Sequence, residues 1–403
     1  MYQVESKGGA IVCMLLSLFF LGTWPAVMNL LERRGRLPQH TYLDYTITNL
    51  LAAVIIAFTF GQIGTHGDSN FLSQLSQIHD NLPSVLFAMA GGIVLSIGNL
   101  SSQYVWAFLG LSVAGVITSS IIVVIGTILN YFLDDKINKA KILFPGVGCF
   151  FIAVCLGFIV HSSNIIDNQA KLKDFASEGN NIFLHYVIVI FEKTDSSKDL
   201  ENGSDPTYKI KAGTAIFLLE LEKRRSIKAS GKSTFIGLAI TFFAGISFSI
   251  FSPLFNLATN DQYHTLRRGV AHLSVYTTFF YFSVSCFIVA IILNIIFLYH
   301  PILNLPKSSL KAYLGDWNGR GLALLAGLLC GFGNGLQFMA GQAAGYAAAD
   351  VVQALPLVGT FWGIVLFGEY RKSSKRTYTL LGSMLVMFIA AIVLLMASSG
   401  HRK

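Results

Sequence analysis

GLALLAGLLCGFGNGLQFMAGQAAGYAAADVVQALPLVGTFWGIVLFG, residues 321–368, carries one charged side chain, Asp350, in a stretch long enough to cross a bilayer twice. About 20 apolar residues in helix span a hydrocarbon core of about 30 Å. Working outward on that rule, ten runs bounded by charge or turns are found, at 9–31, 43–61, 85–108, 112–133, 142–160, 233–258, 275–299, 321–346, 350–368 and 377–397. The composition agrees: of 403 residues 53% are hydrophobic and only 12% charged, where a soluble domain has about a quarter charged. The 32 Phe and 37 Gly suit helices in close contact within a membrane. This excludes an ordinary soluble enzyme and predicts an all-α polytopic membrane protein.

Residues 161–232 are polar, with one apolar island at 182–191 that is too short to span. The expected organisation is therefore a five-helix repeat over 1–160, a largely disordered cytosolic central loop over 161–232 and a second five-helix repeat over 233–403. The net charge of +8 resides in the loops, so it reports topology rather than a nucleic-acid partner. Across ten helices Lys and Arg divide 8 against 21, and 17 remain on the richer face once the middle of the long loop is set aside. The positive-inside rule then places the central loop in the cytosol and both termini outside. The first apolar run is too long for a signal peptide and lacks a basic leader, so helix 1 is expected to be a signal-anchor.

Two halves with an odd number of helices must enter the membrane in opposite senses, so any likeness between them is an inverted repeat of the transporter kind. Gly98-Asn99 corresponds to Gly333-Asn334 at an offset of 235, as Gly110 does to Gly345. Phe132-Leu133-Asp134-Asp135 corresponds to Leu366-Phe367-Gly368-Glu369, and Phe19-Phe20-Leu21-Gly22 to Phe242-Phe243-Ala244-Gly245. Alternating access around a midplane site follows as the expected mechanism.

The strings GTWPAVMNLLERRGRLPQHTYLDY (22–45), FAMAGGIVLSIGN (87–99), LNYFLDDKIN (129–138), FFAGISFSIFSP (242–253), CGFGNGLQFMAGQAAGYAAADVVQALPL (330–357) and FWGIVLFGEYRKSSKRTYTLL (361–381) closely resemble the plant ureide permease family of the drug/metabolite transporter superfamily. The resemblance covers nearly the whole chain outside the central loop. It implies ten helices, a cytosolic central loop and proton-coupled uptake of allantoin and related cyclic ureides, uracil and oxo-purines such as xanthine. Two features depart from that family. Its Walker A sequence is incomplete here, since Ser226 stands five before Gly231, and Gly231-Lys232-Ser233-Thr234 leads straight into a span with no strand before it, so no nucleotide binding is expected. In helix 4 the family tends to read Thr-Glu where this chain has Ala114-Gly115.

A flat, neutral ring dense in N–H and C=O groups needs amides and aromatic faces. Asn99 and Gln103 on helix 3, Asn334 and Gln337 on helix 8, and Trp24 and Tyr104 are the candidate substrate-binding residues, with Trp106 and Trp362 as further stacking surfaces. The alternative is that these amides tie helices together and the rings pack or anchor at the interface. Pro25, Pro253 and Pro356 free carbonyls within spans. Asp350, a carboxylate inside an apolar stretch, is the candidate for proton coupling; its alternative role is to cap helix 9. Asp44, Asp134, Asp135 and Glu369 sit at span ends and are expected to make gate or helix-end contacts, the last three with Lys136, Arg371 and Lys372.

No catalytic set, cofactor or metal ligand stands out. Cys13, Cys149, Cys155, Cys286 and Cys330 all lie in apolar runs as packing residues. The Asn99-Leu-Ser101 and Asn202-Gly-Ser204 sequons are expected to be unused, one inside a span and one in the cytosolic loop. The plasma membrane is the expected location, with the endoplasmic reticulum the alternative. Competing readings are a transporter of another small solute, a facilitator without proton coupling, and a non-transporting scaffold acting through its central loop.

Overall fold

The computed structural model describes residue 4 and residues 6–63, 70–178, 226–227, 234–267, 269–303 and 305–400. The apolar island at 182–191 and Gly231–Ser233 of the GKST sequence lie outside them. Among the described residues ten helices are long and apolar enough to cross a membrane. They are α1 (Lys7–Arg33), α2 (Pro38–Phe58), α3 (Leu82–Trp106), α4 (Val113–Leu133), α5 (Ala140–Glu178), α6 (Thr234–Asn260), α7 (Val275–Tyr299), α8 (Arg320–Ala344), α9 (Tyr346–Phe367) and α10 (Lys375–Ala397). Helix starts are set by ordinary capping chemistry. Ser6, Ser274 and Ser374 accept the N–H groups of Gly9, Thr277 and Thr377, and Pro38 opens α2. Side chains such as Phe235, 80% exposed, and Val386 point outward from the bundle, as lipid-facing residues do.

The helix α5 runs well beyond the expected end of its span at 160. His161, Ser162, Ser163 and Asn164 end the apolar stretch without ending the helix, because leaving hydrocarbon removes the need for apolar side chains and not the backbone hydrogen bonds.

The contacts fall into matching sets. The α1–α8 contact has its counterpart in α6–α3, α2–α8 in α7–α3, and α1–α9 in α6–α4, while α5 packs on α10. Glycines make the same sets close. A Cβ on Gly327 of α8 would strike the Tyr45 carbonyl of α2, and one on Gly92 of α3 the Phe282 carbonyl of α7. Gly333 meets Leu21 of α1 as Gly98 meets Phe248 of α6, and Gly22 meets Val358 of α9 as Gly245 meets Ile121 of α4. The chain reverses at Gly110 (φ 78°) between α3 and α4 and at Gly345 (φ 97°) between α8 and α9, where only glycine is unstrained.

The bundle has two distinguishable ends. At the terminal end the α8–α9 turn meets the α4–α5 loop and the chain's C-terminal residues, since Asn138 Nδ2 and the Gly400 N–H both donate to the Ala344 carbonyl. The α1 helix runs antiparallel to α8, with Ser17 against Gly333 and Leu31 against Gly319, so its N-terminus also lies there. At the opposite, arginine-rich end, Arg36 and Arg320 converge on Asp44, and Ile227 of the central segment donates its N–H to Glu32 Oε1 (3.2 Å).

Gly327→Ala and Gly92→Ala each force a methyl against a backbone carbonyl that cannot swing aside, at a cost of about 1–3 kcal/mol or more. Both are expected to lower the melting temperature of detergent-solubilised protein. Gly359→Ala, whose methyl meets nothing within 4 Å, is expected to leave it unchanged; equal losses in all three would show that backbone contact is not what these glycines protect.

Candidate functional site

Midway along the bundle, residues of α1, α3, α4, α6, α8 and α9 line a cavity. Among the described residues none of its lining side chains is charged. One wall is aromatic: Trp24 lies 5.3 Å from Tyr45 and 5.5 Å, edge-on, from Trp106. Phe248, Phe251 and the α9 residues Leu355, Pro356 and Gly359 add apolar lining.

Asn99 and Asn334 both line it, and a hydrogen-bonded chain fixes them. Asn99 Nδ2 donates to the Tyr45 hydroxyl (3.1 Å), that hydroxyl donates to Cys330 Sγ (2.8 Å), and Asn334 Nδ2 donates to the same sulfur (3.3 Å). With both amide nitrogens engaged, the two Oδ1 atoms are left as acceptors for a ligand's N–H groups. Gln353, on the one-turn 3-10 helix Asp350–Gln353, lines the same space and makes no hydrogen bond among the described residues. Ser102, Thr118 and Ser119 add hydroxyls. Ala114 and Gly115 are also in the lining, and a Cβ on Gly115 would meet nothing within 4 Å. The absence of a side chain there leaves the cavity wider and uncharged.

The other candidates lie elsewhere. Gln103, Tyr104 and Gln337 are buried outside the lining, and neither polar atom of Gln337 has a partner. Trp362 donates its indole N–H to Thr23 (2.9 Å). One turn beyond the lining residues Phe251 and Asn334, toward the terminal end, Phe255 and Phe338 stack with centroids 3.6 Å apart and planes at 4°.

Asp350 is 1% exposed and does not line the cavity; its Oδ2 accepts from Asn130 Nδ2 (3.0 Å). Asp134 accepts the Tyr346 backbone N–H (2.9 Å) and so caps α9, and Asp135 accepts from Gln262. Glu369 pairs with Arg33 (3.5 Å), so the expected pairings with Lys136, Arg371 and Lys372 give way to these. Asp44 is held by Arg36 Nη2 (2.6 Å), Arg320 Nε (3.3 Å) and the Tyr313 hydroxyl (2.7 Å). Beside it Asp316 accepts from Arg36 (3.3 Å) and lies 2.7 Å from His40 Nδ1. Burial alone would raise the Asp316 pKa, but the His40 hydrogen bond and the Arg36 guanidinium outweigh it and hold the carboxyl below its ordinary range. Burial, then the adjacent Asp44 carboxylate, pushes the Tyr313 phenol up.

A neutral, amide-lined cavity inside ten apolar helices suits passage of a solute, and comparison with known proteins agrees. The family model described as ureide permease matches residues 41–398. The chain belongs to the ureide permease family. It is 71% identical to ureide permease 2 and 69% identical to ureide permease 1 of Arabidopsis thaliana, each over the full length of both chains. It is 67% identical to probable ureide permease A3 of Vigna unguiculata over 94% of this chain and all of that one. A member of this permease family is a multi-pass membrane transporter and not an enzyme.

Arg36→Met strands the Asp44 carboxylate with one cation fewer in a site where both side chains are at most 3% exposed. Removing one partner of such a pair costs about 3–5 kcal/mol, read as loss of monodisperse protein on size exclusion. Gly115→Leu fills the cavity without touching that cluster, and is expected to abolish solute uptake at unchanged melting temperature and surface level.

Proposed function

We propose that this chain is a secondary active transporter that imports allantoin and related cyclic ureides, uracil and oxo-purines by alternating access, coupled to protons through Asp350. The observation that carries the substrate class is the uncharged cavity in which the Asn99 and Asn334 oxygens and the unpaired Gln353 amide face an aromatic wall. Such a surface hydrogen-bonds a flat neutral ring and repels no part of it, whereas an ionic solute would meet no counter-charge. The relatives are named as ureide permeases, which supports the ureide part of this reading.

Two inverted five-helix halves are the proposed architecture, supported by the paired helix contacts and glycine positions and by the two glycine reversals 235 residues apart. In this arrangement the Phe255–Phe338 stack is the closed gate toward the terminal end. The plasma membrane is the proposed location. Cations gathered at the arginine-rich end, among them Arg33, Arg34, Arg36, Arg320 and Arg371, favour the cytosol there and the termini outside.

Uptake of labelled allantoin by expressing cells, at external pH 5 and pH 8 with and without a protonophore, tests this reading. Acid-stimulated, protonophore-sensitive uptake is expected, with Asn99→Ala and Asn334→Ala each raising KM up to about tenfold through loss of one hydrogen bond. Asp350→Asn is expected to remove the acid stimulation. Saturable uptake indifferent to pH and protonophore would make the protein a facilitator, and competition by unrelated solutes but not ureides would reassign the substrate.

A further inference from the structure

We infer that protons reach Asp350 from the terminal end of the bundle along a seam of amide side chains between α4, α6 and α9, separate from the substrate cavity, with Asp134 at its outer end. The inference rests on the reading of Asp350 as the coupling acid and adds the route to it.

The seam is continuous in hydrogen bonds. Asn130 Nδ2 donates to Asp350 Oδ2 and to Ser252 Oγ (3.0 Å each), and Asn256 Nδ2 donates to Asn130 Oδ1 (3.4 Å). Asn260 Nδ2 donates to Asn256 Oδ1 and to Asp134 Oδ1, the latter at 3.4 Å. Asn130 on the last turn of α4 and Asp134 just past its end are four residues apart, and Asn256 and Asn260 are four apart on α6, so the hydrogen bonds between them set the two pairs face to face. None of these residues lines the cavity, and the Phe255–Phe338 stack lies beyond Phe251 and Asn334 on the side where the seam runs out to Asp134.

Amides alone would tie α4 to α6, but helix packing gives no reason for the carboxylic acid at the inner end of the row. Asn130, Asn256 and Asp350 are essentially fully buried inside membrane spans, where an apolar side chain of similar size costs nothing to desolvate. At the inner end the Asp350 carboxyl meets only neutral groups, the Asn130 amide on Oδ2 and the Thr127 hydroxyl beside it, with Oδ1 outside hydrogen-bond geometry. A buried carboxylate with no counter-charge is costly as an anion and is relieved when it takes a proton. Asp350 is faced by Asn130, Thr127 and Gly126 of α4, and through Asn130 by Ser252 of α6. No cation is among them to hold it ionised. At the outer end Lys136 lies over the Phe132 ring (5.4 Å) and Asp135 accepts from Gln262, leaving Asp134 facing the seam.

The amides do not change protonation. They supply alternating donors and acceptors to water drawn between α4 and α6. A proton carried by that water as hydronium adds to the lone pair of Asp350 Oδ1 and gives the neutral acid; the reverse step restores the carboxylate and returns the proton to water.

The test uses the full chain in proteoliposomes with labelled allantoin, and two readouts. One is accumulation driven by an imposed pH gradient; the other is counterflow exchange at equal pH, which moves substrate without net proton movement. Asn256→Leu is expected to lose gradient-driven accumulation at least tenfold while counterflow stays within twofold, and Asn256→Ser, which keeps a polar group, is expected to recover most of the accumulation. Parallel loss of both readouts in the Leu and Ser variants would overturn the route and leave the seam as packing. Full accumulation in Asn256→Leu alongside its loss in Asp350→Asn would overturn the route and keep the acid. Full accumulation in Asp350→Asn would remove the coupling role of Asp350, and the route with it.

Discussion

A glycine set directly on a neighbouring helix's carbonyl leaves no gap for lipid or side chain, and the rest of this bundle depends on that closeness. Gly327 on the Tyr45 carbonyl and Gly92 on the Phe282 carbonyl draw α8 to α2 and α3 to α7. Lipid tails are as apolar as leucine, so burying leucine against leucine gives little preference for one helix partner over another. Backbone contact does discriminate, because it requires glycine at one position and a carbonyl at the other. With α8 fixed on α2, Cys330 and Tyr45 come within hydrogen-bond distance, and the asparagine pair is held at a set separation across the cavity.

Three carboxylates in this protein meet low dielectric in different ways. Asp44 is neutralised by two arginines and a phenol. Asp134 takes up the free N–H at the start of α9, where the helix dipole favours an anion. Among the described residues Asp350 has neither a cation nor a backbone N–H, only the Asn130 amide and the Thr127 hydroxyl. The first two arrangements hold helices in place. The third has no counter-charge fixed beside it.

Much of this was legible in the sequence, for reasons that show where legibility stops. Bilayer thickness dictates span length, so ten helices could be counted, and the Gly110 and Gly345 reversals and the Asn99–Asn334 correspondence stood out as paired strings. The facing of α3 was harder. Gln103 is four residues from Asn99, but the cavity face runs through Leu95, Asn99, Ser102 and Trp106, and Gln103 and Tyr104 turn to the side. Gln337 lies a turn past Asn334, level with the aromatic stack rather than the cavity. Gln353 was within reach as a polar residue three positions after Asp350 in an apolar stretch. Asn130 and Asn256 carry no local signal, since only the fold brings α4 and α6 together at that height.

The length of α5 has a consequence for everything that follows it in the chain. Its 39 residues make a rod of about 58 Å at about 1.5 Å per residue, against a hydrocarbon core of about 30 Å. Nearly half of the rod stands clear of the hydrocarbon at the arginine-rich end, braced near its emergence by Lys171 on the Arg371 carbonyl. The helix therefore ends at Glu178 well above the bundle on the arginine-rich side, whereas Ile227, 49 positions later, lies back at the bundle surface with its N–H on Glu32 Oε1.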